Sequence, residues 1–289
     1  MKAKQLEMAL DIDNDNMVYQ GNSLALAHYD MTTLEQKLLL TMLSTIKKED
    51  TKLKTTVFRV SDLAKIMGVP SDNLYRDLKK TCKSIMGKII EIQKADGSWE
   101  LFNIISHAEY KSQKGCIEIT VNKQAEPYLL QLKELFTSFK LGNAMSMNSK
   151  YAIRIYQVCK ANLFKKSYVL SLDELRLQLK LTQKSYQEYS CIRTKVLQPA
   201  LKEINEKTDI NITYEEIKVG RKVVSLKMFV SEKAKRVTTT KKTKTQNYNK
   251  FNKESSFNNF EPRQYDYDKL EKKLLGWEYI HNSLTKALT

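Results

Sequence analysis

The chain has 289 residues, enough for two domains with cores of their own, and 42% of them are hydrophobic, within the globular range. Its formal net charge is +16, and the surplus lies in the second half of the chain, an asymmetry that solubility does not need and that favours a polyanionic partner, foremost nucleic acid. Four scattered cysteines, three isolated histidines and no apolar run near the roughly 20 residues of a membrane span argue against a disulfide framework, a metal or cofactor site and a membrane protein, and for a reducing cytoplasm.

Residues 1–17 are mixed and acidic, without a signal-peptide pattern, and read as a flexible arm. A helix should follow from Thr32 or Thr33, because Thr32…Glu35 and Thr33…Gln36 both have capping-box spacing. Leu34, Leu38, Met42 and Ile46 give it an apolar stripe, better suited to a core than to a dimer surface. Lys47 to Thr55 is a polar loop, and Val57, Phe58 and Val60 read as a short strand. Ser61 to Met67 is a two-turn helix stopped by Gly68, and a second helix runs from about Asp72 to Met86. Leu74, Leu78, Cys82 and Ile85 point inward, while Tyr75, Arg76, Lys79, Lys80 and Lys83 form a basic outer face. Alternating strands are expected at Lys88 to Gln93, Trp99 to Tyr110 and Cys116 to Val121, with turns at Ala95-Asp96-Gly97 and Lys111 to Gly115. Helix, helix-turn-helix and hairpin, in that order, make a winged-helix domain. A helix from Gln124 to Lys133, a stretch at Phe136–Leu141 and a connection from Gly142 to Met147 complete the first half.

The order then repeats. A helix spans Ser149 to Asn162, Tyr168 to Leu170 is a strand, and Ser171 caps the next helix, with Leu175 and Leu179 inward. A long helix should begin near Tyr186, marked by a Ser185/Glu188 capping box. Its core side is Ile192, Val196, Leu197, Ala200, Leu201 and Ile204. Gln187, Ser190, Arg193 and Thr194 face away, with Lys184 just ahead and Lys195 nearby, as in the reading helix of a helix-turn-helix. Ile210, Ile212 and Tyr214 form a strand, Val219-Gly220-Arg221-Lys222 a basic tip, and Val224 to Val230 the return strand. The expected organisation is α+β: an arm (1–17), a first winged-helix domain (18–141), a second (142–230), a disordered basic linker (231–259) and a short helical tail (260–289) suited to docking a partner.

Four segments carry a family resemblance. Val18-Tyr-Gln-Gly-Asn-Ser-Leu24 with Met31-Thr-Thr-Leu-Glu-Gln-Lys37 is similar to the family's opening, and Asn73-Leu-Tyr-Arg-Asp-Leu-Lys-Lys80 to its first recognition helix. Glu126-Pro-Tyr-Leu-Leu130 and Ser149-Lys-Tyr-Ala-Ile-Arg-Ile-Tyr156 resemble its inter-domain region. Ser185-Tyr-Gln187, Arg193-Thr-Lys195 and Glu203-Ile-Asn205 resemble its second recognition helix. The chain thus resembles the tandem winged-helix initiators of theta-replicating plasmids, which bind directly repeated origin sequences, iterons. The resemblance implies monomers that bind iterons and open the origin, and dimers, joined through the first domain, that repress their own gene at an inverted repeat. It implies recruitment of host replication proteins and no catalytic residues. Thr194 departs from the pattern, since basic residues are usual at all three positions of that triplet.

Arg193 can offer two parallel donors to guanine O6 and N7, and Gln187 a similar pair to adenine. Ser185 and Tyr186, at a helix N-terminus, suit phosphate. Lys195 either covers a core edge with its stem or reaches phosphate. Arg221 and Lys222 suit phosphate or the minor groove, against a plain charged turn. The basic face of the first domain reads equally as solvated surface or as phosphate contact. A nicking enzyme would need His-x-His, whereas His28, His107 and His281 are isolated; an ATPase would need a phosphate-binding glycine loop, which is absent. A plain winged-helix repressor is the serious alternative, although it would normally need neither tandem domains nor the aromatic tail.

Overall fold

The computed structural model describes residues 10–94 and 96–233. The expected linker beyond 233 and the tail lie outside the described residues. Residues 10–17 do not form a free arm. Leu10 N donates to Val57 O (3.0 Å), Ile12 is buried in the core, and Asn14 and Asn16 accept from the backbone N–H groups of Gly142 and Leu141, both at 2.8 Å. A Cβ at Gly142 would lie 3.0 Å from both Cβ and O of Asn14, so a side chain there would press Asn14 away. Strand β1 (Met17–Gly21) then pairs antiparallel with β7 (Phe136–Lys140), and the short helix α1 (Asn22–Leu26) follows it.

Helix α2 (Thr33–Leu43) starts at the first of its two candidate caps. Thr32 Oγ1 accepts from Glu35 N at 3.3 Å, and Glu35 Oε2 accepts from Thr32 N at 2.7 Å. Residues 35–43 are all buried, so the Leu34–Ile46 stripe belongs to the core and polar members of the helix must find partners inside. Lys37 Nζ donates to Met67 O (3.1 Å) at the end of the helix below, and Gln36 Nε2 donates to Met31 O (3.0 Å) and Lys150 O (3.1 Å).

Strand β2 (Thr56–Arg59) leads to α3 (Val60–Met67) and α4 (Ser71–Met86), joined through Gly68 in the left-handed region at φ 66°. That conformation is natural to glycine and ends α3 where the sequence predicts. The expected strand Trp99–Tyr110 is two strands. β4 (Trp99–Phe102) pairs with β3 (Ile90–Gln93), and β5 (Ile105–Lys111) pairs with β6 (Cys116–Val121). The break falls where Ile104 and Ile105 are both buried; two adjacent inward residues defeat the alternation of one half-buried strand, so the chain changes sheet. The expected Gln124–Lys133 helix shrinks to a 3-10 turn at Lys123–Ala125 and α5 (Glu126–Leu129), beyond which Gln131 and Leu135 take positive φ. The expected connection Gly142–Met147 is mostly helix, α6 (Leu141–Met145).

The second half contains α7 (Lys150–Asn162), capped by Ser149, then β8 (Ser167–Ser171) and α8 (Leu172–Gln178), capped by Ser171. Helices α9 (Tyr189–Ile192) and α10 (Gln198–Lys207) flank a π turn, and β9 (Ile210–Val219) and β10 (Lys222–Glu232) form the hairpin. The two three-stranded sheets have orders β2-β6-β5 and β8-β10-β9. In each, the strand before the helix-turn-helix pairs with the return strand of the wing, which lies in the centre. The same topology built twice makes this a protein of two tandem winged-helix modules.

A single apolar core runs through both modules. The joint between them also holds a charge that the helical pattern of α7 did not reveal. Arg154 is 3% exposed and donates to Ala25 O (3.1 Å), Ala27 O (2.7 Å) and Tyr29 Oη (2.7 Å), with its guanidinium 4.1 Å over the Tyr29 ring. Gln157 Oε1 accepts from Gln20 Nε2 (3.3 Å) and Tyr29 Oη (3.4 Å). Lys150 pairs with Asp30 at 2.8 Å, and His28 bridges β3 and α8, its Nε2 3.3 Å from Glu174 Oε1. These contacts tie residues 20–30 to α7 and α8.

Candidate nucleic-acid interface

Each module presents its reading helix with a buried side and a cationic outer side. On α4, Leu74, Leu78, Cys82 and Ile85 are buried, and burial pushes the Cys82 thiol up to about 11, so it is a core group. Tyr75, Arg76, Lys79, Lys80 and Lys83 are all exposed on the opposite side, at helical spacing. Two of them are engaged. Arg76 makes two 3.0 Å bonds to Asp77, and Tyr75 packs edge-on against Tyr110 of β5 at 6.2 Å. Lys79, Lys80 and Lys83 remain as exposed cations suited to phosphate.

The second reading element differs from the expected helix. No side-chain cap forms between Ser185 and Glu188, and Lys184–Gln187 is a 3-10 turn, so α9 starts at Tyr189. Arg176 of α8 supplies the physical reason. Its Nε donates to Tyr186 O (3.1 Å), its Nη2 to Gln187 O (2.9 Å), and its Nη1 to Asp173 Oδ1 (2.8 Å). These bonds hold the turn at Tyr186 and Gln187 in place ahead of the helix. Tyr186 is half-buried and packs against the apolar core, so its ring turns partly inward. Lys184, Ser185 and Gln187 are exposed on the same turn.

Ser190, Arg193, Thr194 and Lys195 are exposed, and Ile192, Val196 and Leu197 are buried, as the helical pattern predicts. The backbone between them is unexpected. Arg193–Leu197 is a π turn in which Gln198 N donates to Arg193 O. Pro199 follows, lacks an N–H and crowds the carbonyl four residues back, which favours the wider turn here. Thr194 Oγ1 folds back onto Ser190 O at 2.8 Å, which directs its hydroxyl at its own backbone. The signal for the π turn was Pro199, lying inside an otherwise helical pattern.

Arg193 reaches neither core nor open solvent alone. Its Nη1 lies 3.7 Å from Glu216 Oε1 on β9. The same oxygen accepts from Tyr189 Oη at 2.7 Å, and Glu216 Oε2 is 3.4 Å from Lys218 Nζ. The Tyr189 hydrogen bond, with Lys218 and Arg193, holds the Glu216 carboxyl below its ordinary range, and burial with Glu216 pushes the Tyr189 phenol up. Glu216, Tyr189, Lys218 and Arg176 were not picked out from sequence. Strand alternation could have found Glu216 and Lys218, which share the face of Ile210, Ile212 and Tyr214. At the wing tip Gly220 has φ 60° in the two-residue turn closed by Val219 and Lys222, and Arg221 and Lys222 are exposed. A bulge between Val223 and Ser225 twists the hairpin just behind that tip. Among the described residues no group of three or more His, Cys, Asp or Glu side chains is placed to hold a metal ion, and no helix is long and apolar enough to cross a membrane.

Tandem winged helices with cationic reading faces define the class. Family models described as initiator replication protein, WH1 and WH2, match residues 17–160 and 171–229, and the chain belongs to that family of replication initiators. It is 28% identical to an Escherichia coli replication initiation protein over 210 residues, 69% of this chain and 65% of that one, so it spans about two thirds of that relative's length. It is 24% identical to an uncharacterized 27.6 kDa protein of Escherichia coli, over 68% of this chain and 88% of that one. Its fold matches a crystal structure of the Pi initiator protein in complex with iteron DNA, with a TM-score of 0.64 at 22% identity, over 77% of this chain and all of that one.

Proposed function

We propose that this chain is a plasmid replication initiator that binds direct repeats of duplex DNA at an origin. In this reading the second module, residues 142–230, is the main sequence reader, and the first, residues 18–141, adds phosphate contacts and the dimer surface. The monomer binds iterons, opens the origin and recruits host replication proteins, such as a helicase or its loader. A homodimer in equilibrium with it binds an operator inverted repeat and represses the chain's own gene. Residues 260–289 serve partner docking, and the protein works in the cytoplasm at plasmid or nucleoid DNA. The reading assigns no reaction to the chain.

One observation carries it: two reading helices, α4 and the α9–α10 element, belong to one packed body, each with its own wing and exposed cations. A repressor acting as a dimer needs one such helix per chain, whereas two in one chain suit a long asymmetric site, the kind that direct repeats supply. The Pi initiator that shares this fold was crystallised on iteron DNA, which supports the same assignment. A footprint of the full chain on DNA flanking its own coding sequence tests it. Regularly spaced protection over direct repeats is the expected result; protection of one palindrome alone would return the chain to the repressor alternative.

A further inference from the structure

We infer that Glu216 is a positioning residue that sets sequence preference by governing what Arg193 is free to do. The inference rests on the DNA-binding reading above. An acid on a surface meant for a polyanion calls for a reason, and Glu216 stands on the inward face of β9, where Ile210 and Ile212 build the core. Its place is fixed by two contacts that do not involve DNA: Tyr189 Oη at 2.7 Å from Oε1 and Lys218 Nζ at 3.4 Å from Oε2. Arg193 Nη1 is paired with that held carboxylate at 3.7 Å, while the side chain stays 46% exposed.

Guanidinium is a rigid planar fork with five donors. The pair at 3.7 Å is longer than a hydrogen bond, so the carboxylate biases where the guanidinium sits by charge and leaves its N–H groups available for two-point recognition of a guanine edge. The carboxylate acts a second way. A phosphate near Arg193 is also near Glu216 and is repelled, whereas guanine O6 and N7, being uncharged, are not. Glu216 therefore weakens the contact that any sequence can offer more than the contact only the right base can offer. Free of the carboxylate, Arg193 would be a swinging cation able to neutralise any nearby phosphate.

Glu216→Gln tests this in the full chain, since it keeps the shape and an acceptor for Tyr189 but removes the charge. Fluorescence anisotropy, across a salt series, compares a duplex carrying the direct repeats flanking the gene with a scrambled duplex of equal length. The variant should bind scrambled duplex more tightly, with a salt slope steeper by about 0.9, and its preference for the repeat should fall by about fivefold or more. In an Arg193→Ala background the same change should leave the preference where Arg193→Ala alone put it. An unchanged preference in Glu216→Gln, or the same fall with and without Arg193, would overturn the inference. If the unaltered chain shows no preference for the repeat, the DNA-reading assignment fails and this inference falls with it; if it does show one, the Glu216 result stands or falls by itself.

Discussion

The two reading elements have the same place in the same topology yet are built differently. In the first module α4 is one unbroken helix of 16 residues, entered after a left-handed Gly68 and carrying lysines with little around them. In the second, the corresponding stretch is a 3-10 turn, a helical turn, a π turn and a helix, and some of its groups have partners on neighbouring elements. Arg176 donates to the backbone of Tyr186 and Gln187, and Glu216 is ion-paired with Arg193 at 3.7 Å. A loose cation serves phosphate, because a phosphate oxygen can be met from many directions. Base edges require fixed donors, and fixing them demands partners from neighbouring elements. On this ground we propose that the first face supplies general affinity and the second discrimination.

The largest expected effect sharpens that division. Arg193→Ala should weaken binding to repeat DNA by about 1–3 kcal/mol while leaving scrambled duplex nearly unaffected, as read by competition assays at one salt concentration. Equal losses on both would break the comparison. An effect of similar size is expected at the joint between the modules: Arg154→Met leaves Ala25 O, Ala27 O and Tyr29 Oη without their charged donor and should lower unfolding free energy by about 1.5–3 kcal/mol in urea titrations. An unchanged urea midpoint would mean that the apolar core alone holds the modules together.

Converting Lys79, Lys80 and Lys83 together to Ala should weaken repeat and scrambled duplex alike, by about tenfold each, with the salt slope lowered by up to about 2.7. A selective loss on the repeat would make the first module a sequence reader and erase the contrast. The smallest effect is expected at Thr32→Ala, which removes the cap of α2 and should cost about 1 kcal/mol of stability with the preference for the repeat unchanged. Loss of preference there would show that α2 transmits more than support.

Much of this architecture was legible in local pattern. The caps at Thr32 and Ser171, the glycine stop at Gly68 and the buried stripes of α4 and of Ile192 to Ile204 all follow from spacing and side-chain chemistry within a few residues. The misses come from partners distant in sequence. Ser185 and Glu188 have good cap spacing, but Arg176 takes the neighbouring carbonyls and the helix begins later. Trp99–Tyr110 alternates well enough to pass for one strand until Ile104 and Ile105 both turn inward. Arg154 looked like one more polar residue on a helix, because its acceptors lie 125–129 residues away. The candidate site residues are exposed, apart from the half-buried Tyr186. What arms and restrains them, Glu216 above all, required the tertiary structure.

The account depends on the second reading element discriminating between duplexes that differ only in base order. The most direct measurement is the ratio of dissociation constants of the full chain for a repeat-bearing duplex and its scrambled counterpart, taken at one physiological salt concentration. A ratio of about 10³ or more, reduced sharply by Arg193→Ala, is the predicted result. Equal affinities for the two duplexes would contradict it.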